Sequence, residues 1–239
     1  MEFPAPLVRG RLRRRYKRFL ADVELDGGDA ITAHCANPGS MLGLAEPGAE
    51  VWLSRNINPK AKLDWRWELV RASGGHLVCI NTGHPNRIAE EAIRSGAIAE
   101  LAGYGSLRRE VSYGVRSRVD ILLEQPGRPP CYVEVKSVTL RRPEGEQPAA
   151  AEFPDAVTKR GARHLKELTE IARTGGRAMM LYLVQRGDCD HFRVAADIDP
   201  DYAAAMAEAR RGGVEALCYQ CEVTSRGIDI GRALPVVPA

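Results

Sequence analysis

The sequence predicts a two-domain α+β protein: an N-terminal five-stranded β-barrel over residues 1–82, then an α/β domain with a mixed sheet over residues 83–239. Three observations lead there. Strand-like alternation with glycine turns fills the first eighty residues. The apolar period then changes from two to near 3.6. Beyond that point strands and helices follow one another in an order that calls for helices packed on a sheet.

In the first part, Phe19, Ala21, Val23 and Leu25 alternate with polar residues, Asp26-Gly27-Gly28-Asp29 supplies a turn, and Ile31, Ala33 and Cys35 alternate again, a hairpin pattern. The turn-rich Asn37-Pro38-Gly39-Ser40 precedes Met41, and Val51 and Leu53 mark another strand. Trp65, Trp67 and Leu69, then Leu77 to Asn81, suggest two more around Gly74-Gly75. Short strands joined this way favour a small barrel of the oligonucleotide-binding (OB) type, with other small β-barrels fitting nearly as well.

In the second part, Asn86 to Leu101 reads as a helix with Ile88, Ala92, Ser95 and Ala99 in line. Strands are expected at Leu107 to Val115, Val119 to Leu123 and Cys131 to Val138. Arg141 to Ala151, rich in Pro and Glu, reads as a mobile loop. A helix from Ala156 to Thr174 stops at Gly175-Gly176; the apolar strand Ala178 to Gln185, a helix from Asp201 to Arg211 and a last strand from Val214 to Val223 complete the domain.

With 239 residues, 44% hydrophobic and 27% charged, the chain is an ordinary globular one, and its longest apolar run, Ala178 to Val184, is too short to span a membrane. No secretory signal is read at the N-terminus, so the cytoplasm is the expected compartment and reduced thiols the expectation for the six cysteines. Cys218 and Cys221 form a C-x-x-C with no second metal-binding pair at finger spacing, and read better as two ordinary half-buried residues. The net charge is +3, but the seven basic residues between Arg9 and Arg18 leave the remainder at −4. Arg11, Arg13, Arg14, Arg15, Tyr16, Lys17 and Arg18 are therefore expected to meet DNA phosphates, against the alternative of an edge strand charged to prevent sheet-to-sheet association.

The chemistry concentrates on two strands. Asp120 lies inside the otherwise apolar Val119-Asp120-Ile121-Leu122-Leu123, where an unpaired carboxylate costs several kcal/mol. Glu134 and Lys136, two apart in Tyr132-Val133-Glu134-Val135-Lys136, leave one face of a strand, and the turn at Pro126-Gly127 can bring the two strands together. Two carboxylates with a lysine suit a hard divalent cation, Mg2+ or Mn2+, and phosphodiester hydrolysis; the plainer reading is a salt bridge. On a helical wheel Glu91 falls in the inward stripe, making it a further carboxylate for the metal.

The blocks Arg15-Tyr16-Lys17-Arg18-Phe19-Leu20-Ala21-Asp22-Val23, Ala33-His34-Cys35 with Asn37-Pro38-Gly39-Ser40-Met41, Cys131 to Leu140, and Phe153-Pro154-Asp155-Ala156-Val157-Thr158 with Arg160-Gly161 and His164-Leu165 closely resemble the sugar fermentation stimulation protein A family, over essentially the whole chain. The resemblance implies a prokaryotic DNA-binding protein with an OB barrel and a second domain of restriction-endonuclease-like, PD-(D/E)xK type. It also implies a link to regulation of sugar (maltose) metabolism. The nuclease pattern falls on Asp120, Glu134 and Lys136, with Glu91 as the helix glutamate and Val119 where the pattern has proline.

Arg160 and His164, one helical turn apart, are candidates for phosphate contacts or for a solvated face. His34 is expected to pack on the barrel, and Ser40, outside any G-x-S-x-G elbow, to cap its loop. Trp65 and Trp67 fit a barrel core better than a base-stacking surface. Two functions stand: a DNA-binding protein with a metal-dependent cleavage site, and a non-catalytic DNA-binding regulator. A small-molecule enzyme of sugar metabolism lacks any phosphate-cradling glycine motif. Subunit number is left open, a dimer being compatible.

Overall fold

The computed structural model describes residues 1–58, 60–113 and 117–237. In β1 (Val8–Tyr16) Gly10 and Leu12 point inward while the arginines point out, and the chain returns into β2 (Leu20–Leu25) through Lys17 and Arg18, both in the left-handed region at φ 49° and 64°. β3 (Ala30–Cys35), β4 (Glu50–Arg55), β5 (Trp65–Arg71) and β6 (Leu77–Cys79) complete the set. β1 pairs with both β2 and β4, and a parallel β3–β5 pairing closes five strands into a barrel, with β6 added to the edge of β5. The tryptophan alternation is what fills it: Trp65 and Trp67 are buried in the barrel core, Trp67 donating its indole N–H to the Leu69 carbonyl at 2.9 Å. Neither is available to a base.

The second sheet has the order β14-β13-β11-β9-β8-β7. Its members are β7 (Ser106–Tyr113), β8 (Ser117–Glu124), β9 (Cys131–Val138), β11 (Arg177–Val184), β13 (Glu215–Val223) and β14 (Ile228–Ala233). The continuous apolar run of β11 lies between β9 and β13, parallel to both, and is buried on both faces, as an interior parallel strand must be. Helix α1 (Pro85–Arg94) covers one face; α2 (Lys159–Arg173) and α3 (Pro200–Arg211) cover the other. β10 (Ala150–Phe153) and β12 (His191–Val194) form a small parallel pair beside the sheet.

Several expectations change. The helix from Asn86 to Leu101 stops at Arg94, because Gly96 takes φ 75° and turns the chain; only a short 3-10 turn, Ala99–Leu101, follows. The loop from Arg141 ends in β10, whose four residues are too few for a period to show. β12 and β14 are also additional strands. The expected continuation of β7 to Val115 lies outside the described residues. Residues 1–3, assigned above to the barrel domain, run beside β14: Ile228 donates to the Met1 carbonyl at 2.8 Å and Phe3 to that of Arg226 at 3.0 Å. Cys218 and Cys221 enter the cores on opposite faces of the second sheet, so they cannot share a metal.

The domains share packing and polar anchors. Trp52, Leu69 and Cys79 of the barrel join the apolar cluster under α1. Arg15 reaches the carbonyls of Asn37 and Gly39, each at 2.9 Å, shaping the 37–40 loop, and Asp155 from the second domain accepts from Met41 N and Ser40 Oγ. Buried Glu68 of β5 accepts from Ser54 Oγ at 2.6 Å and Asn81 Nδ2 at 2.7 Å and meets His84 Nε2 at 2.7 Å, tying the barrel to the start of α1. Between the domains lies a cleft of about 690 Å3, lined by Arg15, Arg18 and Ser40 on one side and Asn86, Val135 and Thr158 on the other.

A Cβ on Gly39 would lie well inside contact with the Asp155 carboxylate. Overpacking of this kind costs about 1–3 kcal/mol, so Gly39→Ala should lower Tm by roughly 2–10 °C. Calorimetry should show a smaller loss when Asp155→Ala is combined with it. Burial works to raise the Glu68 pKa, but the hydrogen bonds and the His84 charge outweigh it and hold the carboxyl below its ordinary range. A depressed carboxylate contributes stability above its unfolded pKa and loses it as pH falls through the folded one. Glu68→Gln should therefore cost about 1–3 kcal/mol at neutral pH, with the difference shrinking below the unfolded glutamate value in urea titrations across pH.

Candidate functional site

β8 and β9 run antiparallel with Ile121 opposite Val133, a register that would put Asp120 opposite Glu134. The ladder ends at Ile121, and Asp120 replaces it with its side chain: Oδ2 accepts the Val135 N–H at 2.8 Å, and Oδ1 accepts Asn86 Nδ2 from the first turn of α1 at 2.9 Å. The strands part where the carboxylate takes over a backbone partner.

Glu134 is 3% exposed. Its Oε1 accepts Lys136 Nζ at 2.7 Å and the Nδ1–H of buried His164 on α2. Arg160, which can only donate, donates Nε–H to His164 Nε2 at 3.3 Å, so the hydrogen on the ring is assigned to Nδ1. Glu134 Oε2 is buried and has no hydrogen-bond partner.

The two carboxylates are held differently. Burial, and then repulsion from Glu134, raises the Asp120 pKa against the pull of Val135 N–H, Asn86 and Lys136. Burial also acts to raise that of Glu134, but His164 and Lys136 outweigh it and hold the group below its ordinary range. Two acids in one place with opposite tendencies is a pattern common at functional sites.

The structure thus brings together Asp120, Glu134, Lys136 and His164, and Arg160 through His164. It does not bring Glu91 there. Five residues beyond Asn86 on α1, Glu91 points to a different side of the helix, at 2.9 Å from the Met1 amino group and 2.8 Å from Arg87 Nε. The wheel placed it in the inward stripe, but the residues α1 buries are Pro85, Ile88, Ala89 and Ala92, and the Glu91 side chain is 44% exposed. His164 is itself too buried, at 2% exposed, to meet a phosphate; it braces Glu134 instead. Among the described residues no group of three or more His, Cys, Asp or Glu is placed to hold a metal.

The basic run is corrected as well. Arg9 pairs with Asp26 in the turn after β2, Arg13 with Glu24 and Arg14 with Asp22 of β2, and Arg11 approaches Glu50 of β4. A bulge between Leu12 and Arg14 sets both Arg13 and Arg14 outward. Tyr16 donates to Asp22 at 3.2 Å, and Arg15 is spent on loop carbonyls. Among the described residues, Lys17 and Arg18 have no acidic partner. Sequence neighbours alone hid this, because the counter-charges come from strands further along. Asn86 and Glu68 were also missed; nothing in their local sequence shows which carboxylate or helix they meet.

A closed OB-type barrel joined to a mixed α/β sheet with a buried Glu beside a half-buried Asp and Lys defines a two-domain class. The family model for the SfsA N-terminal OB domain matches residues 14–80, and that for the sugar fermentation stimulation protein RE domain matches residues 83–227. The chain is 60% identical over 234 residues to a sugar fermentation stimulation protein homolog of Paramagnetospirillum magneticum, covering 98% of this chain and 97% of that one. It is 58% identical to one of Rhodospirillum centenum, covering 98% of each. The solved structure of Pyrococcus furiosus SfsA in complex with Ca2+ superposes with a TM-score of 0.88 at 28% identity, covering 99% of this chain and 98% of that one. The chain belongs to the sugar fermentation stimulation protein family.

Truncating His164 leaves Glu134 buried with one partner fewer and a void. His164→Ala should cost about 2–4 kcal/mol. His164→Asn, whose amide can stand near the lost Nδ1–H, should recover part of it in urea unfolding midpoints.

Proposed function

We propose that this protein binds DNA and carries a metal-dependent phosphodiester-cleaving site built on Asp120, Glu134 and Lys136. The observation that carries the reading is the buried, unpartnered Oε2 of Glu134 beside Asp120, whose proton affinity is raised in part by the Glu134 charge. A hard cation would relieve both conditions at once. Two carboxylates suffice, since Mg2+ takes one or two carboxylates, several waters and substrate phosphate oxygens. The Pyrococcus relative's complex with Ca2+ supports an oxygen-ligand site of this kind. When bound, Mg2+ or Mn2+ would supply charge stabilisation at a phosphoryl oxygen.

The chain's own residues do the rest. Lys136, tied to Glu134 Oε1, has two further N–H donors for a phosphoryl oxygen or the attacking water. His164, backed by Arg160, fixes the orientation of Glu134. Asn86 and Val135, which hold Asp120, also line the interdomain cleft with Arg18, so a substrate seated there would lie against the groups that hold the carboxylate. An OB barrel beside that cleft is a fold suited to nucleic acid.

The test is incubation of single-stranded, duplex and branched DNA with Mg2+ or Mn2+. Cleavage should require the metal and fall by about 10²-fold or more in Asp120→Ala and Lys136→Ala, with Glu91→Gln retaining it. No cleavage of any substrate, with binding unaffected, would leave the non-catalytic DNA-binding regulator. The arginine pairings give a separate expectation. Arg18→Ala should reduce the slope of log affinity against log salt by about 1. Arg13→Ala, already neutralised by Glu24, should leave it nearly unchanged.

A further inference from the structure

The outer wall of the barrel beside the cleft carries an aromatic surface that the cleavage reading does not use. Phe19 is 48% exposed, an unusual position for a phenylalanine, and its ring stacks on His34 with centroids 6.5 Å apart and planes 9° from parallel. His34 is paired in register with Leu20 on one side and Arg66 on the other. Because Ala33, Cys35, Trp65 and Trp67 fill the interior, His34 and Arg66 face outward. Phe19 follows directly on Lys17 and Arg18, whose left-handed backbone is one that bulky residues adopt only at a cost. Among the described residues Lys17, Arg18 and Arg66 have no acidic partner, while the arginines before them in β1 are occupied. The result is a flat aromatic pair bordered by free cations, with Arg18 also in the cleft lining.

We infer that Phe19 and His34 form a base-stacking platform for an unpaired DNA strand, with Lys17, Arg18 and Arg66 taking the adjacent phosphates. The inference rests on the DNA-binding reading and adds the strand type. Stacking needs an exposed base face, which a duplex keeps inside, whereas single-strand binders combine a cationic groove with such rings.

The test is fluorescence anisotropy in EDTA, so that no result depends on cleavage, using a labelled oligothymidylate of roughly 12 nucleotides, a duplex and an RNA of equal length. Phe19→Ala should weaken single-strand binding about tenfold or more while leaving duplex binding and the thermal melt unchanged. Phe19→Tyr should restore it, and Phe19→Trp should show fluorescence quenched by the oligothymidylate. Equal loss for single strand and duplex, or no loss at all, overturns the platform. So does tighter binding of RNA than of DNA. If Phe19→Ala has no effect while Arg18→Ala still weakens binding, the platform fails and the DNA reading survives. If the unaltered protein binds no DNA, both fail together.

Discussion

Placing two carboxylates side by side where water is scarce is the constraint on which this molecule turns. Asp120 and Glu134 each lose hydration on folding, and each raises the cost of the other's charge. Everything nearby answers that cost. The ladder between β8 and β9 stops so that Val135 can donate to Asp120; α1 begins where Asn86 can do the same; α2 presents His164 to Glu134 with Arg160 behind it. One oxygen of Glu134 is left without a donor, and the proposed cation site rests on it.

The barrel matters to that cluster because it is anchored against it. Apolar residues of β4, β5 and β6 continue the core under α1, Glu68 holds the first turn of that helix through Asn81 and His84, and Asp155 holds the loop that Arg15 has shaped. The cleft walls are therefore parts of fixed elements, so the cations at the β1–β2 turn and the carboxylates behind Val135 keep a set relation. Pairing most of the arginine run serves the same end: those side chains knit β1 to β2 and β4, each exposed pair contributing little alone, and leave the free positive charge at the turn nearest the cleft.

Much of the fold was legible because its signals are local. Alternation with Gly-rich turns marked β2 to β6, the apolar run marked β11, and the glycine pair after Thr174 marked the end of α2. Short strands such as β10 and β12 have too few residues for a period, and Gly96, permissive rather than forbidding, did not announce that α1 would stop. At the site, Asp120, Glu134 and Lys136 stood out as polar residues in apolar strands. Glu91 misled because its stripe was drawn over a helix reaching Leu101, whereas α1 stops at Arg94 and buries Ile88, Ala89 and Ala92, leaving Glu91 exposed. The arginine run misled because its acidic partners lie on other strands.

The sequence by itself determined the two-domain architecture, the strand positions of the carboxylates and lysine, and the family, since periodicity and contiguous motifs survive being read in one dimension. Only the tertiary structure decided which groups meet: that Asn86 rather than Glu91 reaches Asp120, that His164 braces Glu134 instead of facing solvent, and that among the described residues three of the seven clustered cations, Arg15, Lys17 and Arg18, have no acid beside them. Those outcomes depend on which strands pair and which face of the sheet each helix covers. Charges interact over a few ångströms of space whatever their distance along the chain.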